Sequence, residues 1–531
     1  MLPLENLTVG QLIDRTAQQY GERKAIWYHG EDRTYAHLAE KVQQYAALLV
    51  RLGVGRGDHV GFWTEIEPEV LYAFYAVQRI GAVAVMLNTS LVSDELRDLL
   101  RRNDVKLVLA GKSFKTERNI AAGQLDTLAR GGVEKVYTVG LERLQGVEAL
   151  RDLHGDLTAE DYAAAQAMEA QVTPQDTATI LFTSGSTSAP KGVMSSHYSR
   201  VNGGIQQAGD LLFTCEDKVC VAMPIFHCFC ISVNIMAALA TGACLCVPDD
   251  RHISSILDTV EKCGCTVLSS VPTMFHAMLA RKKLESRDMS TVRIGFIGGA
   301  YYPPEDFIRI DEAMGPQFTL MSSLGQTECT AGLTTCYVND DLKVRSTTVG
   351  HFMSHVEGRI ADIHTGETLP NGQRGEICVR GYLNMQGYYK QPDLTAETID
   401  KDGWVHTGDL GILDDAGNVT LAGRIKELII RGGENISPSE IEVVLSKLPG
   451  VKASKVVGVP DPHYGEEICA CIIREGGSSL TTGEITDFLS QHLAYYKVPK
   501  YIKFFDSFPT TATGKIKPAE VRKIALEKLG L

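Results

Sequence analysis

The chain has 531 residues, more than one hydrophobic core accommodates, so two or more domains are expected. Its 44% hydrophobic and 22% charged content is ordinary for a soluble globular protein. The formal net charge of −13 argues against non-specific nucleic-acid binding, and no basic block rises above a solvated face. The opening Met1-Leu2-Pro3-Leu4-Glu5 lacks the basic region and apolar stretch of a signal peptide. No run approaches the roughly 20 apolar residues needed to span a bilayer. The 13 cysteines lie mostly within apolar runs, several as i, i+2 pairs such as Cys228/Cys230, Cys244/Cys246, Cys263/Cys265 and Cys469/Cys471. That spacing places both thiols on one strand face rather than building a zinc site, so buried free thiols and a reducing cytoplasm are expected.

Helical and strand patterns alternate from Tyr35 to about Phe352. The periodicity predicts a helix over Ala39 to Leu52, a strand over His59 to Trp63 and a helix over Glu69 to Ile80. The pattern returns with a strand from Ala243 to Val247, a helix from Ser254 to Lys262 and a strand from Thr266 to Ser270. Val292 to Gly298 and Phe318 to Ser322 read as strands flanking a helix from Pro304 to Met314. Such alternation implies parallel βαβ sheets covered on both faces, with ligands beyond the carboxyl ends of the strands. After Gly350 the texture becomes antiparallel and turn-rich, as in Gly375 to Gly381 and Gly417 to Ala422. A compact α+β segment follows. It carries helices at Ser439 to Lys447 and Thr482 to His492 and strands at Lys455 to Val459, Ile468 to Ile473 and Lys500 to Phe505. The fold class is therefore α/β. A large N-terminal domain (1–425) of parallel βαβ sheets carries a β-barrel-like subdomain, and a small C-terminal domain (426–531) follows.

Several loops carry chemistry-bearing residues. The apolar run Ile180-Leu181-Phe182 enters Thr183-Ser184-Gly185-Ser186-Thr187-Ser188-Ala189, closed by Pro190-Lys191-Gly192. Glycines allow close backbone approach to an anion, hydroxyls donate to its oxygens and lysine adds charge. This is a phosphate cradle or a solvated turn. It is not a Walker loop, since Gly192 follows the lysine where Ser or Thr is required. Gly325-Gln326-Thr327-Glu328 is either a surface turn or a hydroxyl–carboxylate pair suited to a phosphate and a hard cation. Asp409 in His406-Thr407-Gly408-Asp409 and Arg424 in Gly423-Arg424-Ile425-Lys426 stand fifteen residues apart. His227, in Met223-Pro224-Ile225-Phe226-His227, fits either a packed core or a pocket wall. Gly298-Gly299-Ala300 closes a strand, and Lys515 lies in Thr511-Ala512-Thr513-Gly514-Lys515, by itself an ordinary solvated terminal lysine.

Taken in order, these segments resemble the signatures of the acyl-adenylate-forming superfamily, which includes acyl-CoA synthetases, luciferases and peptide-synthetase adenylation domains. The resemblance covers essentially the whole chain. It departs at Ser188, where the pattern has Gly, at Leu324, where it has an adenine-stacking Tyr, and at Cys230, where it often has Gly. It implies that Thr183, Ser184, Gly185, Ser186, Thr187 and Lys191 cradle phosphates. Gly299 and Ala300 would line the adenine edge and the acyl pocket, and His227 would border the substrate carboxylate. Gly325 and Gln326 would lead to Thr327 on a phosphate and to Glu328 as the magnesium ligand. Asp409 would hold the ribose, reinforced by Arg424. Lys426 would be the hinge of a mobile C-terminal domain, Gly433 would let the pantetheine arm pass, and Lys515 would neutralise the reacting oxygens.

The implied enzyme is an ATP-dependent acyl-CoA synthetase, most like medium-chain and general fatty-acyl-CoA ligases. Its cofactors and co-substrates would be ATP, Mg2+ and coenzyme A, and its partner a small carboxylic acid. No nucleic acid or transmembrane segment is expected, and a homodimer stays open. An aryl-acid CoA ligase, a ligase that loads a carrier protein and a non-catalytic nucleotide sensor are the alternatives.

Overall fold

The computed structural model describes residues 2–91, 93–112, 128–141, 143, 146–183, 190–280, 287–299, 302–431, 434–462, 464–511 and 515–531. The first sheet has seven strands in the order Gly387–Tyr388, Lys191–Ser196, Thr177–Thr183, Val83–Met86, His59–Trp63, Val105–Ala110, Lys135–Thr138. Its last five strands are mutually parallel, and Lys191–Ser196 folds back antiparallel on Thr177–Thr183. That hairpin sets Thr183 opposite Lys191, so the two ends of the cradle loop are held side by side.

The second sheet has nine strands, with a parallel centre that includes Lys218–Cys220, Val267–Ser270, Ile294–Ile297 and Thr319–Gln326. Thr319–Gln326 runs on into the turn Thr327–Cys329, and Thr183, Lys191 and Thr327 border the same cleft. Helix Tyr35–Arg51 starts earlier than its apolar periodicity announces, because the Thr34 hydroxyl caps it by accepting from the His37 N–H. The largest core lies between these sheets and their helices, around side chains such as Phe62, Phe74, Tyr75 and Ile26.

The β-rich region is a four-stranded antiparallel sheet of Val356–Ala361, Arg374–Gly381, Val405–Leu413 and Val419–Arg424. It does not close into a barrel. Residues 429–504 build a separate five-stranded sheet with its own apolar core, including Ile441, Ile468, Ile485 and Leu489. Among the described residues, no helix is long and apolar enough to cross a membrane.

The thiols depart from expectation at one place. Cys246 and Cys263 are disulfide-linked, while the other eleven cysteines are free and all but Cys215 are buried. Strand periodicity had grouped Cys244 with Cys246 and Cys263 with Cys265. The bridge instead joins a strand to the end of the helix Ile253–Cys263 packed on it.

Candidate active site

One large open cleft runs between the N-terminal sheets and the C-terminal segment, and the expected residues within the described part of the chain line it. From the N-terminal side come Thr183, Lys191, His227 and Gly299, and from the turn after Thr319–Gln326 come Gly325, Gln326, Thr327 and Glu328. Asp409, Arg424, Lys426 and Lys515 close it from the other side. Ser184, Gly185, Ser186, Thr187, Ala300 and Gly433 lie outside the described residues.

The Thr327–Glu328 turn is held by elements far away in sequence. The Glu328 carbonyl accepts from the Met385 N–H at 2.9 Å, and its carboxylate Oε1 accepts from the Tyr388 hydroxyl at 2.8 Å. Lys191 Nζ stands 4.8 Å from the centroid of the same Tyr388 ring. Thr327 Oγ1 lies 3.7 Å from Cys228 Sγ. A threonine hydroxyl beside a carboxylate is an all-oxygen donor set that fits magnesium bridging to a phosphate.

Asp409 is 3% exposed and takes Arg424 Nε on Oδ1 at 2.7 Å, while its Oδ2 is buried with no hydrogen-bond partner among the described residues. Burial raises its pKa, an effect that Arg424 partly offsets. A buried carboxylate oxygen without a donor is costly, and a hydroxyl of a bound ligand would satisfy it. The nucleotide therefore fits this corner of the cleft.

His227 is pushed down to about 4, first by burial and then by the positive charge of Lys515. Its Nδ1 accepts from the Phe229 N–H at 3.2 Å, which leaves the proton of the neutral ring on Nε2. His227 is thus a neutral hydrogen-bond donor able to hold a carboxylate oxygen. The π-helical stretch Cys230–Met236 begins three residues after it. Lys515 reaches in from the C-terminal segment, and a Cβ built on Gly299 would sit 3.9 Å from its Cε. Its backbone is clamped to Thr511 through N–H to Oγ1 at 3.1 Å and through a carbonyl that accepts the Thr511 N–H at 2.7 Å. Burial first, and then Arg424, lower its pKa, while Cys228, Asp409 and Glu328 oppose that shift.

Tyr388 and Cys228 were not singled out by sequence as site residues. Tyr388 falls in a Gly-Tyr-Tyr run whose position beneath Glu328 arises only from strand pairing with Lys191–Ser196.

Comparison with known proteins identifies the family. Residues 13–389 match the AMP-binding enzyme family, and residues 440–515 match the AMP-binding enzyme C-terminal domain. The mitochondrial medium-chain acyl-CoA ligase ACSF2 of Danio rerio is 33% identical over 548 residues, covering 100% of this chain and 90% of that protein. The acyl-CoA ligase sidI of Aspergillus fumigatus is 31% identical, covering 99% of this chain and 92% of that protein. The ATP-bound MatB of Rhodopseudomonas palustris superposes with a TM-score of 0.85 at 28% identity, covering 98% of this chain and 100% of MatB. The chain belongs to the AMP-binding enzyme family, and along its whole length it is related to acyl-CoA ligases.

Proposed function

We propose that this enzyme activates a carboxylic acid, of the fatty-acid class, as its acyl-AMP and transfers the acyl group to coenzyme A. The observation that carries the reading is the convergence of Glu328, Asp409 and Lys515 on one cleft from three separate segments. In the first half-reaction an oxygen of the acid attacks the α-phosphorus of ATP, forming the C–O–P bond and breaking the bond to pyrophosphate. No protein nucleophile is required, so the chain contributes position and charge. His227 Nε2–H holds one carboxylate oxygen, and Asp409 anchors the ribose. Lys515 neutralises the oxygens that gain charge, an attraction of about 4 kcal/mol at contact distance and an effective dielectric of about 20, before desolvation. Magnesium bound at Thr327 and Glu328 would withdraw charge from the phosphates. In the second half-reaction the coenzyme A sulfur attacks the acyl carbon and AMP leaves.

The domain boundary falls at 425/426, with Lys426 in the short turn Ile425–Glu427 as the hinge. The separate sheet and core of residues 429–504 support that division. Rotation there withdraws Lys515 and brings the loop that holds Gly433 toward the thiol. Phe226, Pro272 and Leu324 give the cleft apolar walls suited to a hydrocarbon chain. The eleven free thiols are in keeping with a cytoplasmic location. A screen of pyrophosphate release over acids of graded length and shape tests the substrate class. A preference for aryl acids or short dicarboxylates over medium-chain fatty acids would overturn it.

A further inference from the structure

Arg200 is the largest fully buried side chain among the described residues, with no solvent exposure. Among the described residues, every hydrogen-bond acceptor of its guanidinium is neutral. Nε donates to Thr179 Oγ1 at 2.9 Å and Nη2 to Ser195 Oγ at 3.0 Å. Nη1 is shared between Ser232 Oγ at 3.4 Å and the Thr330 carbonyl at 3.2 Å. A buried cation without a carboxylate is expensive, and burial lowers its pKa to about 10, so it stays charged at neutral pH. A fold that needed only packing at this point would be served better by an apolar side chain.

The Thr330 carbonyl is the point of interest. Thr330 has φ of 60° and ends the turn Thr327–Cys329, whose side chains include those of Thr327 and Glu328. Ser232, on the π-helical stretch, donates to the same carbonyl, and the Thr330 hydroxyl is tied to the Leu383 carbonyl at 2.8 Å. Two glycines bring these parts together. A Cβ on Gly204 would lie 2.7 Å from Met236 backbone atoms, and one on Gly203 would lie 3.0 Å from Thr330 Cγ2. Helix His197–Asp210 therefore presses Arg200 against both the π-helical wall and the turn. The charge is also felt at the cleft: burial pushes the Cys228 thiol up, Thr327 and then Arg200 oppose that rise, and the Cys228 sulfur lies 3.7 Å from Thr327 Oγ1.

We propose that Arg200 is a positioning residue for adenylation: it fixes the Thr327–Glu328 turn through the Thr330 carbonyl, and the anions that fill the cleft balance its charge. The inference rests on the acyl-adenylation reading, and the test separates the two.

The test measures three quantities in the full-length protein: acid-dependent pyrophosphate release, ATP binding by calorimetry without acid, and the melting temperature of the ligand-free protein. Wild type comes first, and a wild type that forms no AMP overturns the reading and this inference together. Arg200→Met should lower kcat by about 10–100-fold, as loss of an outer support does, and weaken ATP binding several-fold. The melting temperature of ligand-free Arg200→Met should not fall, because an unbalanced buried charge has been removed. Arg200→Lys should recover ATP binding while kcat stays low, since a point charge replaces the fork. Ser232→Ala should lower kcat in the same direction by less. An active wild type beside an Arg200→Met protein with lower melting temperature, but kcat and ATP affinity within about twofold of wild type, makes Arg200 a packing residue and overturns the inference alone. Should Arg200→Met not fold, Arg200→Lys and Ser232→Ala decide: wild-type kcat in both overturns it.

Discussion

Tyr388 donates its hydroxyl to Glu328 Oε1 at 2.8 Å while Lys191 Nζ rests 4.8 Å from the centroid of the same ring. One aromatic side chain thereby joins Lys191 to the carboxylate proposed to hold magnesium. Tyr388→Phe keeps the ring under Lys191 but releases the carboxylate. The magnesium concentration that half-saturates pyrophosphate release should rise about tenfold, with little change in melting temperature. An unchanged magnesium dependence would remove Tyr388 from the site.

Asp409 combines a 2.7 Å pair to Arg424 with a second oxygen that has no donor among the described residues. Asp409→Asn removes the charge, leaves Arg424 without its partner and can present an amide donor where an acceptor is needed. ATP affinity should fall by about 10–100-fold, the range for losing a charged hydrogen bond. Calorimetric titration with ATP measures this directly, and wild-type affinity would move the ribose elsewhere.

The pKa of Lys515 lies below the ordinary 10.5, chiefly through burial. The proposed role in adenylation requires its ammonium form, which is present below that lowered pKa and lost as pH rises through it. Pyrophosphate release should therefore decline on the alkaline side earlier than an exposed lysine would dictate. Thiol transfer from supplied acyl-AMP should lack that limb. His227, pushed down to about 4, is already neutral, so its ionisation contributes no acid limb between pH 5 and 8. Lys515→Ala should lower adenylation by about 10²–10³-fold and spare transfer from acyl-AMP. Parallel rate profiles for the two half-reactions would contradict this division of labour.

Lys426 sits in the short turn between the antiparallel sheet and the C-terminal sheet. Lys426→Pro restricts φ there, so acyl-AMP should still form while thioester formation slows by at least about tenfold. Single-turnover measurement of each half-reaction resolves the two, and unimpaired transfer would put the hinge at another position.

The loops around Lys191, Thr327, Asp409 and Lys515 were legible in the sequence because each is a local arrangement of glycine, hydroxyl and charge between regular elements. The alternation of strand and helix likewise announced the parallel centres of both sheets. What was hidden depends on distant pairing. Tyr388 meets Glu328 across 60 positions, and Cys228 meets Thr327 across 99. Arg200 was not singled out in the sequence, and its burial accompanies the close approach of Gly203 to Thr330 and of Gly204 to Met236. The Cys246–Cys263 bridge escaped notice for the same reason, since periodicity describes one element and the partner came from another.

The central claim is that carboxylate activation occurs through an acyl-adenylate in the cleft shared by Glu328, Asp409 and Lys515. The most direct measurement is exchange of labelled pyrophosphate into ATP with magnesium and a medium-chain acid, in the absence of coenzyme A. The account requires exchange that depends on the acid and collapses in Lys515→Ala. Exchange absent across a broad panel of acids, or ATP cleaved to ADP instead of AMP, would contradict it.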